Sequence, residues 1–229
     1  MQKKLRELYS GKRSSELEKY FRENGPLEIA GLFKREIAPA EYAQFLRQRF
    51  RHHPFRCAPL LKIIAKLPVR IIFTTNYDKL LETTCRDVST TEDPIVIVRA
   101  QQLSGLNGDE LQIVKLHGDI DHPDSIILTD KDYAGFPAKC LAMRDLFQSH
   151  IAFSTMVLIG FGLKDPNFSA IFAGARALLP DSAPSIVALM AKQNEFHVEK
   201  WRADGLTINN FNEYDEVPEF LKQVIRWSK

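Results

Sequence analysis

The chain has 229 residues, of which 31 are basic and 29 acidic, for a formal net charge of +2. That near-balance excludes a strong electrostatic field for nucleic acid or anionic membrane. A hydrophobic content of 45% and a charged content of 26% describe an ordinary globular chain. Cys57, Cys85 and Cys140 are odd in number and scattered, which suits a reducing cytoplasm and not a disulfide framework. No apolar run approaches the roughly 20 residues that cross a bilayer. The charged start Met1-Gln2-Lys3-Lys4-Leu5-Arg6-Glu7 lacks the apolar centre of a secretory signal. The expectation is a cytoplasmic protein of one α/β domain, with residues 1–68 as its helical N-terminal region and 69–229 as its α/β part.

In the first part, Leu17, Tyr20 and Phe21, then Leu27, Ala30 and Phe33, then Tyr42, Phe45 and Leu46 recur at helical spacing. Ser15 and Glu18 have the spacing of a capping box, and Pro39 can open another helix. Pro59 to Leu67 adds a further amphipathic turn or two, closed by Pro68. Arg47, Arg49, Arg51, His52, His53 and Arg56 form the one local basic excess. It reads as a solvated helix end; phosphate or nucleic-acid contact is the weaker reading, and nucleic acid is not the expected partner. His52, His53 and Cys57 lack a second ligand pair, so no metal site is expected.

From Val69 onward apolar runs alternate with helical segments. Strands are predicted at Arg70–Thr74, Ile95–Val98, Gln112–Leu116, Ser125–Leu128, Met156–Gly160, Ser185–Met190 and Leu206–Asn210. Helices are predicted at Asp78–Arg86, Ala138–Phe153, Asn167–Leu179, Asn194–Ala203 and Val217–Trp227. Runs that are apolar throughout imply burial on both faces, hence a mostly parallel, Rossmann-like sheet under helices. The close spacing of the second, third and fourth strands leaves room for an antiparallel hairpin.

Three strand ends carry chemistry. Thr74-Thr75-Asn76-Tyr77-Asp78 offers two hydroxyls, a carboxamide and a carboxylate at a strand-to-helix turn. Asn76 or Asp78 capping a helix is the bland reading. The alternative is a polar grip on a sugar or amide, with Asn76 able to donate and accept at once. His117, in Leu116-His117-Gly118, is either a structural histidine or a proton acceptor near neutrality. Asp119 and Asp121 either orient its ring or face water. Gly160-Phe161-Gly162 lacks the third glycine of a dinucleotide fingerprint. Asp165-Pro166-Asn167 is a good helix start by itself, and its backbone N–H groups suit ribose or phosphate oxygens.

Phe73 to Glu82, Val114 to Asp119, Leu128-Thr129-Asp130-Lys131-Asp132-Tyr133 and Leu158 to Phe168 resemble, in order and spacing, four segments of the bacterial sirtuin-like domain family. The resemblance covers residues 55 to 170 well and the rest more loosely. It implies an NAD-cleaving effector of anti-phage defence that yields nicotinamide and ADP-ribose, with NAD as substrate and no metal. It implies that Asn76 holds the nicotinamide ribose and positions the attacking water, and that Asp78 helps recognise the carboxamide. His117 would be general base, Thr74 and Thr75 would belong to the same cofactor-binding turn, and Gly160, Gly162, Asp165 and Asn167 would line the nucleotide side. A sensor protein or self-assembly is the partner that the family implies. The scattered cysteines leave no counterpart to the zinc module of true deacylases, which argues against peptide deacylation. One departure stands out. The family opens with a strand and a glycine-rich turn for the pyrophosphate, and nothing in residues 1–69 matches them. A truncated gene, a misassigned start and a diverged chain all account for this, and competence in catalysis would depend on that strand. A non-catalytic NAD or ADP-ribose sensor on the same fold is the alternative function.

Overall fold

The computed structural model describes residues 1–10, 13–50, 59–88, 93–106, 110–161, 163–178 and 185–227. The N-terminal helices are α1 (Gln2–Leu8), α2 (Ser14–Glu23), α3 (Pro26–Glu36), α4 (Pro39–Phe50) and α5 (Pro59–Ile64). Proline opens three of them, at the position where its missing N–H has no helical partner to lose. The Ser15–Glu18 capping box is not formed. Ser15 lies inside α2, whose N-cap is Arg13, and Glu18 instead receives the Arg6 guanidinium at 2.6 and 3.1 Å. Leu5, Leu17, Ile29, Leu32, Phe33, Tyr42 and Leu46 bury together with Ile120 and Ile126 from the α/β part.

Among the described residues six strands follow: β1 (Ile71–Thr74), β2 (Ile95–Ile97), β3 (Gln112–Lys115), β4 (Met156–Ile159), β5 (Ile186–Ala191) and β6 (Leu206–Phe211). They form not one sheet but two, each parallel and three-stranded, in the orders β1-β3-β2 and β4-β5-β6. Phe73 lies opposite Val114 in the first, and Leu158 opposite Ala188 in the second. β1 pairs only with β3, and β4 only with β5. Among the described residues, then, each of these strands keeps one edge without a strand partner. A single apolar cluster nevertheless joins the sheets: Ile97, Val114 and Leu116 of the first pack in it with Leu158, Ile186 and Ala188 of the second.

The helices described in this part are α6 (Leu80–Val88), α7 (Asp130–Lys139), α8 (Leu141–Phe153), α9 (Pro166–Leu178) and α10 (Glu195–Ala203), which lie between strands, and α11 (Glu216–Trp227), which follows the last one. α5 packs on both α6 and α11, while α7, α8 and α9 pack on one another, so each helical layer is continuous.

Three sequence expectations are corrected. Ser125–Leu128 is not a strand. The Ser125 hydroxyl donates to the His122 carbonyl at 2.6 Å and accepts the Asp119 N–H at 3.0 Å, winding residues 123–125 into a short 3-10 turn. Ile126 and Ile127 are apolar because they are buried, not because they pair in a sheet. No antiparallel hairpin is present among the described strands; β2 and β3 run parallel, and the antiparallel contact is an isolated bridge between Asp119 and His122. The helix expected at Ala138–Phe153 is present as α8 from Leu141, but a separate, unexpected helix, α7, precedes it from Asp130. Thr129 Oγ1 accepts the Asp132 N–H at 3.1 Å, and Asp132 Oδ2 accepts the Thr129 N–H at 3.1 Å, a reciprocal cap. A non-helical Cys140, at φ −115° and ψ 29°, then separates α7 from α8.

Asp132 also receives Lys34 Nζ at 3.0 and 3.1 Å, tying α3 to α7. Burial would raise its pKa, but Lys34 and Thr129 outweigh that and hold the carboxyl below the usual range. Asp132→Ala is expected to lower unfolding stability by about 1–3 kcal/mol in urea titrations at neutral pH. A depressed carboxylate contributes above its unfolded pKa and loses that contribution as pH falls through the folded value. The gap between wild type and variant should therefore shrink below about pH 4.

Candidate active site

The C-terminal ends of β1, β3 and β4 converge on one cavity of about 50 Å³. After β1, Thr74 Oγ1 accepts the Asn76 N–H at 3.1 Å and Asp78 Oδ1 accepts the Leu80 N–H at 3.0 Å. Capping of α6 thus falls to Asp78. Asn76 is exposed, and among the described residues its carboxamide has no protein partner. The Tyr77 hydroxyl reaches across to the Ile127 carbonyl at 2.7 Å and pins the turn to the segment after β3.

After β3, His117 is buried at 4% exposure. Its ring meets the edges or faces of Tyr133 and Phe136, with centroids at 5.3 and 5.9 Å. Gly118 follows at φ +88°, and a Cβ there would lie 2.3 Å from the Ser125 carbonyl oxygen. Only glycine fits both the angle and the space. Asp119 and Asp121 do not orient the imidazole. Asp119 is fully buried against Lys115 and Lys79, and Asp121 pairs with Lys79.

After β4, Asp165 serves two partners with two oxygens. Oδ1 accepts the Phe168 N–H at 3.0 Å, capping α9, and Oδ2 accepts the Tyr133 hydroxyl at 3.2 Å. The same Oδ2 stands 3.6 Å from His117 Nε2. Asn167 Nδ2 is buried with no hydrogen-bond partner among the described residues. An unmet buried donor costs about 1–3 kcal/mol, so this amide is a position where a ligand acceptor would be rewarded.

The cavity therefore gathers Thr74, Thr75, His117, Asp165 and Asn167, closed by the rings of Phe73, Phe147, Phe161 and Phe168. Asn76, Asp78 and Gly160 are not in its lining. Gly160, at φ +65°, faces the Tyr214 hydroxyl, which a Cβ would approach to 2.7 Å. Gly162 lies outside the described residues, as do Arg51, His52, His53, Arg56 and Cys57; Arg47 and Arg49 sit in the last turn of α4. Tyr133 was visible in the Asp132-Tyr133 pair of the sequence, yet nothing local revealed that it would contact both His117 and Asp165. The aromatic walls were equally hidden, because they come from four separate elements.

Burial lowers the pKa of His117, and the Asp165 carboxylate opposes this only in part. The imidazole is neutral at pH 7, free to accept a proton, and the carboxylate beside it would stabilise the cation so formed. Burial, then Asp165, raise the Tyr133 phenol, which stays protonated as a donor. Among the described residues no group of three or more His, Cys, Asp and Glu could hold a metal ion, and no helix is long and apolar enough to cross a membrane.

The chain is 24% identical to the NAD(+) hydrolase ThsA of Bacillus cereus (strain MSX-D12) over 185 residues, which are 72% of this chain and 39% of that protein. It is 31% identical to the NAD(+) hydrolase ThsA of Enterococcus faecium over 133 residues, 57% of this chain and 27% of the relative. Defense-associated sirtuin 2 of Bacillus subtilis is 29% identical over 124 residues, 53% of this chain and 12% of its own length. The chain thus spans about two fifths or less of these relatives. Residues 70–208, more than half of the chain and the stretch holding all three strand ends, match the SIR2-like domain, and the chain belongs to that family.

Proposed function

We propose that this domain cleaves NAD at the nicotinamide–ribose bond, giving nicotinamide and ADP-ribose. The observation that carries the reading is the buried, neutral His117 set 3.6 Å from Asp165, in a cavity where, among the described residues, the amide Asn167 Nδ2 is buried without a hydrogen-bond partner. Cleavage develops positive charge on the sugar, so a base and neutral polar contacts suffice. In this reading the His117 imidazole takes a proton from a ribose hydroxyl or from the attacking water. The exposed Asn76 carboxamide holds the ribose and that water, and Asp78 contributes its remaining oxygen to the carboxamide of the leaving group. Asn167 and the Thr74 and Thr75 hydroxyls fix the nucleotide. Gly160 and Gly162 complete that side of the pocket.

Small-molecule sites run to about 300–1,000 Å³, against about 50 Å³ in this cavity. NAD must therefore displace aromatic side chains, and the half-buried Phe161 is the one on the strand-end loop. The reading includes a role inside the cell in antiviral defence; the names of the relatives, NAD(+) hydrolase and defense-associated sirtuin, support NAD cleavage and defence. A sensor protein or a second copy of the chain would trigger it. The same narrow cavity favours a second reading, a sensor that binds NAD or ADP-ribose without cleaving it. Calorimetry with both ligands, run beside a nicotinamide-release assay, separates the two: heat of binding without nicotinamide supports the sensor.

Two outcomes are expected. Asn76→Ala and His117→Ala should each reduce nicotinamide release by about 10²- to 10⁴-fold while the circular dichroism spectrum is kept; undiminished turnover in both removes their roles. By NMR, His117 should titrate below the ordinary histidine value of about 6.5. Asp165→Asn should push it lower still, since the carboxylate is what raises it. With its folded pKa below the unfolded one, neutral His117 supports the fold above about pH 6.5, and that support fades on acidification.

A further inference from the structure

Lys115 lies in the central strand β3 and is fully buried. Side chains alternate along a strand, so Lys115 shares a face with Ile113, which packs on Leu81 and Cys85 of α6. Leu116, on the other face, lines the cavity, and Lys115 does not. Its ammonium works from behind the sheet. Nζ donates to the Tyr77 carbonyl at 3.3 Å, the Asp78 carbonyl at 2.5 Å and Glu82 Oε1 at 2.7 Å, and lies 2.7 Å from Asp119 Oδ2. The Ile120 N–H adds a bond to the same Tyr77 carbonyl at 3.0 Å.

One side chain thus clasps two turns. Tyr77 and Asp78 directly follow Asn76, and Asp119 follows His117 across Gly118. An ammonium has three hydrogens for these four acceptors. Accordingly Asp119 Oδ2 has no hydrogen bond among the described residues despite its proximity; Glu82 Oε2, not the oxygen bound by the ammonium, is likewise buried with no partner there. A core selected for stability alone would do as well with hydrocarbon there, because a buried ion pair seldom outperforms packed apolar groups. What hydrocarbon could not do is bind the carbonyls of one turn and the carboxylate of the other.

We propose that Lys115 is a positioning residue that fixes the separation and facing of Asn76 and His117, and so sets the turnover of the site without touching substrate. The proposal rests on the NAD-cleavage reading, and its test reads the two apart. In the full chain, Lys115→Met, the double variant Lys115→Met/Glu82→Gln and Glu82→Gln alone are compared for kcat and KM of nicotinamide release, and for amide exchange followed residue by residue. The double variant removes the charges of Lys115 and Glu82 together and leaves the buried Asp119 its contact with Lys79.

The expected result is a folded double variant whose kcat falls about ten- to a hundredfold with KM within about twofold of wild type. Exchange at the Leu80 and Ile120 amides should accelerate at least about tenfold while β5 and β6 keep their protection. Glu82→Gln, which leaves the carbonyl contacts, should stay within about threefold of wild-type kcat. Wild-type kcat in a folded Lys115 variant overturns the proposal, and so does a loss in Glu82→Gln as large as in Lys115→Met. Unfolding of both Lys115 variants also overturns it, because the lysine would then serve the whole fold. If the wild-type chain releases no nicotinamide, the catalytic reading fails by itself. Local acceleration at Leu80 and Ile120 then still upholds the clasp, and uniform exchange rejects it.

Discussion

A positive charge without access to water sits in the middle strand of the first sheet, and its surroundings are arranged to accommodate it. Lys115 is fully buried, so its ammonium is tolerable only with acceptors around it. That requirement dictates what stands around it: an acid in the first turn of α6, two backbone carbonyls turned inward, and a carboxylate directly after the glycine that follows His117. Asp119 shows the balance of forces. Burial alone would raise its pKa, yet Lys115, the Asp121 amide and Lys79 together depress it. The strand ends at the front of the sheet inherit their geometry from this arrangement at the back.

At the front the opposite economy holds, with few polar groups and many rings. His117 is walled by Tyr133 and Phe136, and Asp165 is held by two donors on separate elements, the α9 backbone and the Tyr133 phenol. A carboxylate fixed at both oxygens cannot swing to form a closer bond with the imidazole. It acts at 3.6 Å as a field and not as a proton partner. The helix it caps is the same one that presents the unmet Asn167 amide, so cap, field and vacant donor derive from the three-residue run Asp165-Pro166-Asn167.

Much of this was legible in the residues alone. β1, β3, β4 and the start of α9 announce themselves because each ends an apolar run at an abrupt polar turn, and local patterns of that kind are readable without tertiary knowledge. Reading failed where the cause lay elsewhere in the chain. Ile126-Ile127 looks like a strand because burial and sheet pairing demand the same residue types, and a single serine hydroxyl decided between them. The start of α7 was missed although Thr129 and Asp132 have capping-box spacing, while Ser15 and Glu18, with the same spacing, form none: Arg6, distant in sequence, claims the glutamate. Two sheets in place of one, and Tyr133 as a neighbour of both His117 and Asp165, are likewise products of assembly. Of the residues expected to act, Thr74, Thr75, His117, Asp165 and Asn167 share the cavity, whereas Asn76, Asp78 and Gly160 stand outside its lining.

Position 118 carries a consequence for heredity. With the Ser125 carbonyl oxygen only 2.3 Å from where any methyl would go, and the backbone already in left-handed territory, not even alanine has room. The neighbouring imidazole and the clasped aspartate on either side would both be dislodged by the smallest enlargement. In a saturation library scored for folded protein, that codon would tolerate silent changes alone.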